Sequence, residues 1–307
     1  MRRALILLLL VATTALVACG GSASDEKSAK QTLASVKPLK SAQTAVALRV
    51  FFDNAPASVG DKLELTMNGP LRNNGADKLP SLDWKIAFSG LATKFTSRIV
   101  STGDNFFINL GGQDFEAGQQ AVQQLTDQAQ ESKQKGLAQV GLNPLGAVRN
   151  VKAAGDRTFD GETLKVYKGD IDVDAVLDQI ERLSQGLPNA GAAQTIPGGK
   201  LTAEQRAQAK RTFAKPRFEA AVADDDTIRQ LLVTSTFTTP AANREAAGGI
   251  TGGHMEYRVD YTEVGEDTTI TPPKNPQPLS DFAQQVQQIL SKKLRRFPEL
   301  ARESKPH

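Results

Sequence analysis

The sequence predicts an α+β fold in which one large antiparallel sheet is covered on one side by a small number of helices. Short runs alternate apolar and polar residues with a period of two, which is typical of strands with one buried and one solvated face. Turn-forming stretches such as Asn68-Gly69-Pro70 and Gly103-Asp104-Asn105 separate the early runs. Because strands this close in sequence pair with one another, we expect an antiparallel meander.

The strand-like runs lie at residues 46–50, 63–67, 84–88, 95–100, 106–110, 163–168, 217–222, 228–237 and 254–264. The last run has the clearest alternation. Met255, Tyr257, Val259 and Tyr261 lie on one face, and charged residues separate them. A shift of one residue would place those charges in the core, so the register of this strand should be fixed.

Two segments with helical periodicity interrupt the strands, at residues 117–135 and 174–184, and Asp172 or Asp174 can cap the second. Their apolar stripes contain Val122, Leu125 and Ala129, and Val173, Val176, Leu177, Ile180 and Leu183. Residues 186–199 contain almost no bulky side chains and predict a loop. The apolar face of the sheet must be covered, and these helices are the candidates. Their stripes are narrow, so the face either close-packs or leaves an open apolar space.

The N-terminal residues predict export and lipid attachment. Arg2 and Arg3 precede an uncharged, mostly apolar run at 4–17, which is short for a membrane span of roughly 20 residues. Leu16-Val17-Ala18-Cys19-Gly20 resembles the lipobox of bacterial lipoproteins. It implies a signal peptide at 1–18 and lipidation of Cys19, with acyl chains such as palmitate. The alternative is an ordinary secretion signal with a chance cysteine.

The composition after the leader divides the chain into three parts. Residues 19–40 are rich in small and polar residues and predict a flexible tether. Residues 41–273 form the predicted domain, and residues 274–307 form a C-terminal amphipathic helix with a basic tail. That tail either lies on anionic headgroups or docks on the domain with a solvated end.

The counts of cysteine and charge exclude several classes of site. Cys19 is the only cysteine, which excludes an internal disulfide and a cysteine-based metal cluster. Without Arg2 and Arg3 the chain has 35 basic and 34 acidic side chains, and this balance argues against nucleic-acid binding. The glycine pairs near residue 250 are not followed by the Gly-Lys-Ser/Thr of a phosphate-binding loop, so no such loop is predicted. No cofactor is expected.

Few residues suit catalysis. His254 lies at the start of a strand and His307 is the last residue, so a solvated histidine is favoured over a catalytic base or a zinc ligand. No serine lies in a Gly-x-Ser-x-Gly elbow. The Asp224-Asp225-Asp226 cluster could bind calcium, but it lacks the spacing of a calcium loop and is more economically a hairpin turn.

The order of elements resembles the mycobacterial lipoproteins of the LppX/LprAFG type, which share a fold with the lipoprotein carriers LolA and LolB. The segments that carry the resemblance are residues 103–108, residues 160–169 with the helix that follows, and residues 257–272. It implies a curved antiparallel half-barrel with helices packed on the concave face, and an apolar cavity for acyl chains between them. The candidate lining residues are Trp84, Ile86, Phe88, Phe106, Ile108, Val176, Leu177, Ile180, Tyr257 and Val259.

These observations favour a non-enzymatic protein that binds or carries lipids or glycolipids. It would be anchored through Cys19 at the extracytoplasmic face of the cell membrane, where a component of an export machinery is a possible partner. The main alternative is a surface interaction or sensor domain that binds a protein partner without a lipid cavity. An extracytoplasmic enzyme is the third hypothesis.

Overall fold

The structure is a computed structural model that describes residues 24–57, 59–75, 78–91, 93–119, 122–123, 144–186 and 200–279. Within these residues, the strands form one curved antiparallel sheet of twelve strands, as predicted. The signal peptide, Cys19, the loop at 187–199, most of the predicted helix at 117–135 and the predicted C-terminal helix after Leu279 lie outside the described residues.

The strands are β1 (Ser41–Asp53), β2 (Lys62–Arg72), β3 (Ser81–Gly90), β4 (Thr93–Thr102), β5 (Phe106–Leu110), β6 (Gln113–Glu116), β7 (Val148–Phe159), β8 (Glu162–Ile171), β9 (Phe213–Val222), β10 (Ile228–Thr238), β11 (Gly252–Thr262) and β12 (Gln277–Pro278). The helices are α1 (Ser24–Ala34), α2 (Val173–Gly186) and α3 (Ala203–Thr212), and 3-10 turns lie at Pro144–Ala147 and Ala241–Asn243. None of these described helices is long and apolar enough to cross a membrane.

The chain builds the sheet in two halves that meet at β1. Strands β1 to β6 follow one another as the predicted meander. The chain then crosses to the far edge, where β7 begins a second meander that returns through β8, β9 and β10 to β11. Strand β11 pairs with residues 43–53 of β1, so the two halves share one continuous hydrogen-bonded ladder.

Strand β11 has the predicted alternation. Met255, Tyr257, Val259 and Tyr261 are buried, while the residues between them are half-buried. Helix α2 also has nearly its predicted bounds. The Asp172 carboxylate accepts a hydrogen bond from the Ala175 backbone N–H at 3.3 Å and so caps the first turn.

The structure differs from the flexible tether that the sequence predicts at 19–40. Residues Ser24–Ala34 form helix α1, in which Ala29 and Leu33 are 3% exposed and belong to the same apolar cluster as the sheet. Val36 and Leu39 follow them into that cluster. The sequence analysis missed this helix because a polar composition hides a short apolar stripe of two residues spaced four apart.

Strand β7 is the longest element that the sequence analysis missed. Its register with β8 shifts twice, between Arg149 and Lys152 and between Ala153 and Asp156. Such irregularities break the period of two on which the prediction depends. The short strand β6 and helix α3 were also missed, and helix α3 lies next to the predicted loop.

Strand β12 lies beyond residue 273, where the sequence placed the end of the domain. Gln277 and Pro278 pair in parallel with Phe115 and Glu116 of β6, so the sheet includes this segment. Proline at 278 suits an edge strand because that position does not need a backbone N–H for the ladder.

The face of the sheet opposite the core, hereafter the polar face, carries cross-strand ion pairs. Arg49 lies between Glu64 and Glu256, at 2.7 and 2.9 Å, and so connects β2, β1 and β11. Glu219 lies between Arg157 and Lys168, at 2.5 and 3.0 Å, and connects β7, β8 and β9. Pairs of opposite charge across neighbouring strands favour this register over a shifted one.

We expect Leu33→Ala to lower the free energy of unfolding by about 3 kcal/mol, because it removes a buried side chain that joins α1 to the core. The control Gln31→Ala changes an exposed residue of the same helix and should change stability by less than about 0.5 kcal/mol. Urea denaturation followed by circular dichroism measures both. Equal effects of the two variants would contradict the packing of α1 on the sheet.

Glu219 should make stability depend on pH in the acidic range. Burial raises the pKa of its carboxyl, but hydrogen bonds from Lys168 and Arg157 outweigh burial and hold it below the ordinary value of 4.5. Its stabilisation is therefore complete above pH 4.5 and is lost as the pH falls through the lower pKa of the folded state.

We expect Glu219→Gln to cost about 1 kcal/mol at pH 7 and progressively less as the pH falls below 4.5, until the variant matches the unmodified chain. The exposed control Glu266→Gln should change the free energy of unfolding very little, both at pH 7 and below pH 4.5. Urea titrations over this range measure the difference. A cost for Glu219→Gln that stays constant with pH would show that the ion pairs are not its cause.

Candidate functional site

Cross-strand pairing aligns apolar side chains into one continuous face of the sheet, hereafter the apolar face. Residues directly opposite one another on paired strands share a face. Following the register from β7 to β3 gives one row across eight strands: Ala153, Tyr167, Ala220, Leu231, Val259, Val46, Met67 and Ile86. The row contains no charged residue, so this face is a suitable surface for hydrocarbon.

A second row on the same face crosses from β11 to β6. Its members are Tyr261, Thr44, Gly69, Trp84, Ile99, Ile108 and Phe115. The step from Gly69 to Trp84 is not a ladder pair, but a Cβ on Gly69 would lie 3.3 Å from the Trp84 Cα. Gly69 leaves this row without a side chain between Thr44 and Trp84. Its φ of +150° favours glycine, and a Cβ there would overlap the carbonyl oxygen of Asp83 on the next strand.

The apolar face is covered unevenly. At its centre, Val50 and Leu48 of β1 are 0% and 2% exposed, and Val259 of β11 is 1% exposed. On β3, by contrast, Trp84, Ile86 and Phe88 are only half-buried. Phe95 of β4 pairs with Phe88 on this face, and it is 46% exposed. Among the described residues, the most exposed large apolar side chain therefore lies on β4, beside three half-buried residues of β3.

Helix α1 contributes to the cover at the opposite end. Its buried residues Ala29 and Leu33 cluster with Val148 and Val151 of β7 and with Tyr167 of β8. The sequence analysis named only the helices at 117–135 and 174–184 as candidates for covering the sheet, and that restriction was wrong. Of the first helix, the structure describes Val122, which is buried. In α2, Leu177 is buried and Val176 is half-buried.

The structure places most of the candidate lining residues on the apolar face. Tyr257 and Val259 are part of the core cluster, and Trp84, Ile86 and Phe88 pack against it. Phe106 and Ile108 follow on β5, where both are half-buried, and the register puts Ile108 opposite Ile99. The side chain of Ile180 lies outside the described residues, and contact between a ligand and any of the ten residues stays a prediction.

Two tyrosines bring hydroxyl groups to the apolar face without charge. Burial raises the pKa of Tyr257, with a smaller contribution from nearby Tyr261, and burial also raises the pKa of Tyr261. Both phenols therefore stay protonated at any physiological pH. They therefore add uncharged hydroxyl groups to this face.

Two further polar atoms of the apolar face are buried and lack a hydrogen-bond partner in the described part of the chain. They are the Trp84 indole Nε1 and the Thr44 hydroxyl Oγ1. Sequence reasoning found Trp84 but missed Thr44. The available signal was a polar residue in phase with Ala42, Val46 and Leu48, which marks a polar group inside an apolar stripe.

The acidic cluster at 224–226 forms the predicted turn between β9 and β10. The Asp225 carboxylate accepts hydrogen bonds from the backbone N–H of Thr227 at 3.0 Å and from its hydroxyl at 2.6 Å. Burial raises the pKa of Asp225, but the hydrogen bonds from Thr227 and Arg229 lower it by more. In the described residues, no group of three histidine, cysteine or carboxylate side chains could hold a metal ion.

His254 lies at the exposed start of β11, as predicted. Its ring stacks on Phe51, its cross-strand partner on β1, with centroids 4.3 Å apart. This contact accounts for its position without a ligand or a reaction.

No family model matches the sequence, and no curated protein matches it with significance. The structure is similar to the lipoprotein LppX of Mycobacterium tuberculosis, with 14% identity, a TM-score of 0.36, and coverage of 80% of this chain and 94% of that one. LprF of Mycobacterium bovis is 13% identical with a TM-score of 0.39, and the match covers 82% of this chain and 94% of that one. A putative outer membrane lipoprotein-sorting protein domain of Vibrio parahaemolyticus is 7% identical with a TM-score of 0.22, and the match covers 84% of this chain and 94% of that one. The first two neighbours are of the lipoprotein group that the sequence resembles.

Proposed function

We propose that this chain is a non-enzymatic lipoprotein, anchored through Cys19 at the extracytoplasmic face of the cell membrane, that binds the acyl chains of a lipid or glycolipid on the apolar face. The observation that carries this proposal is the accessible apolar surface at β3 and β4. Trp84, Ile86 and Phe88 continue the buried core outward, and Phe95 extends it to solvent.

Burial of hydrocarbon supplies the affinity. Each methylene group that leaves water contributes about 0.8 kcal/mol, so an acyl chain laid along the half-buried residues gains several kcal/mol. Neighbouring strands are about 4.8 Å apart, so the row from Thr44 to Ile108 spans roughly 20 Å across the sheet. The polar face carries the ion pairs of Arg49 and Glu219, and at β8 and β9 a small buried cluster that includes Leu164 and Val166.

A lipid anchor and a lipid-binding surface suit one another in such a protein. Acyl chains on Cys19 would hold the domain within reach of the bilayer, which is the source of its ligand. A component of an export machinery could receive the lipid from the domain.

Native mass spectrometry of the protein purified gently from membranes tests the proposal. We expect adducts whose masses correspond to lipid and disappear after denaturation, because acyl chains are held on the apolar face without a covalent bond. The covalent modification of Cys19 survives denaturation, and Cys19→Ser should remove it while leaving the adducts of the domain. A mass without adducts, from protein that is folded and never delipidated, would contradict lipid binding.

The two faces of β4 offer a matched pair of variants. Phe95→Asp puts a charge on the apolar face at a site exposed enough to tolerate it, and we expect at least about a tenfold loss of lipid affinity. Thr96→Asp puts the same charge on the other face of the strand, at another exposed residue, and should bind as the unmodified chain does. Binding of a brominated lipid can be followed by quenching of Trp84, the only tryptophan.

The exposure of Phe95 also favours a second function, a docking surface for a protein partner, since exposed aromatic residues often mark interfaces. The two functions give different results in the same purification. A stoichiometric protein that is lost with Phe95→Asp, together with an absence of lipid adducts, would support docking over lipid binding.

A further inference from the structure

The apolar face carries two side-chain atoms whose burial is not compensated by a hydrogen bond. Trp84 Nε1 and Thr44 Oγ1 have no partner in the part of the chain that the structure describes, and Thr44 as a whole is 4% exposed. Glu219 Oε1 is also buried, but it lies 2.5 Å from Arg157 in an ion pair, which compensates its burial. Proteins rarely keep a buried polar group unpaired, because the lost hydration costs folding free energy.

The two atoms belong to one place on the sheet. Thr44 of β1 pairs with Gly69 of β2. Trp84 of β3 lies beside the same glycine, because a Cβ on Gly69 would be 3.3 Å from the Trp84 Cα. Their Cα atoms are therefore two strand spacings apart, or about 10 Å. With no side chain at Gly69 between them, both can reach the same bound group. Trp84 also begins the half-buried part of the apolar face that we propose for acyl chains.

The chemistry of the pair selects the group that it can bind. The indole N–H of Trp84 only donates a hydrogen bond, and the Thr44 hydroxyl can donate one, so the missing group is an acceptor. The cross-strand neighbours of the pair, Tyr261 and Ile99, are uncharged. A carboxylate or phosphate there would be buried without a countercharge, which is costly. A neutral carbonyl oxygen accepts hydrogen bonds and carries no net charge, so it meets both conditions.

We propose that Trp84 Nε1 and Thr44 Oγ1 donate hydrogen bonds to an ester carbonyl of the bound lipid, which makes this position a subsite for ester-linked acyl chains. The inference rests on the proposed lipid binding and adds to it a class of ligand. The apolar face then holds the hydrocarbon by burial, while the pair fixes where along the face the ester group lies.

An ester lipid and its ether counterpart test the subsite. Dioleoylglycerol and the dialkylglycerol with the same chains differ at the carbonyl oxygens, and delipidated full-length protein is titrated with each. We expect the ester lipid to bind at least about tenfold more tightly. Thr44→Val and Trp84→Phe should each reduce this preference about fivefold, as expected for loss of one hydrogen bond, and the double variant should bind both lipids alike.

Thr96→Val is the matched control, because it makes the same change on the other face of the sheet and should keep the full preference for the ester. In the absence of lipid, Thr44→Val should raise the urea midpoint or leave it unchanged, since it removes an unpaired buried hydroxyl. A lowered midpoint would overturn the proposal by showing that Thr44 already has a partner.

A direct readout uses the single indole N–H resonance of the protein, which belongs to Trp84. The ester lipid should move its proton shift downfield, and the ether lipid should not. Equal binding of both lipids by the unmodified chain would refute the ester subsite while leaving lipid binding intact. Failure of every variant and the unmodified chain to bind either lipid would refute the proposed function itself.

Discussion

The cross-strand register is the constraint on which the rest of this structure depends. Because directly opposed residues share a face, the pairing of β1 with both β2 and β11 puts Val46, Leu48 and Val50 in line with the apolar residues of both halves of the sheet. One surface therefore collects the larger of the two buried apolar clusters, while Leu164, Val166, Ala221 and Ala223 form a smaller cluster on the other face. Among the described residues, helix α1 packs on this surface near β7, while Phe95 of β4 stays exposed.

The polar face keeps that register in place. Arg49 bridges two strands through Glu64 and Glu256, and Glu219 is shared by cations from β7 and β8. Exposed or half-exposed ion pairs add little stability individually. Their value here is that a slip by one residue would turn these charges toward the core while moving the apolar residues into water. The two faces therefore specify the same pairing.

The apolar face departs from an ordinary core at its β3 end. Close packing would bury Trp84, Ile86 and Phe88 fully and would give Thr44 and Trp84 hydrogen-bond partners. Instead, half-buried aromatic and aliphatic side chains lie beside two unpaired donors, around a glycine whose backbone geometry excludes a side chain. Features that cost stability without a local benefit are often found where a protein binds something, and here they occur together.

Sequence reasoning was reliable where one side chain in two is apolar over several residues. It found β11 and the faces of its residues because Met255 to Tyr261 alternate without interruption. It missed β7, whose register shifts remove the period, and α1, whose buried face is formed by Ala29 and Leu33 amid polar residues. It found Trp84 as a lining residue but not Thr44, since a threonine in a strand is unremarkable until its burial and partners are known.

The sequence by itself determined the alternating strands, the antiparallel class of the fold and the predicted lipid acceptor at Cys19, because each of these depends on residues that are close together in the chain. It also determined the near-neutral charge, which is a sum over the whole chain and needs no structure. Only the tertiary structure decided how the strands pair, and therefore which side chains share a face of the sheet. It also decided that Gly69 lies between Thr44 and Trp84, and that α1 covers the β7 end of the sheet. Those facts depend on contacts between residues far apart in sequence, and local periodicity carries no information about them.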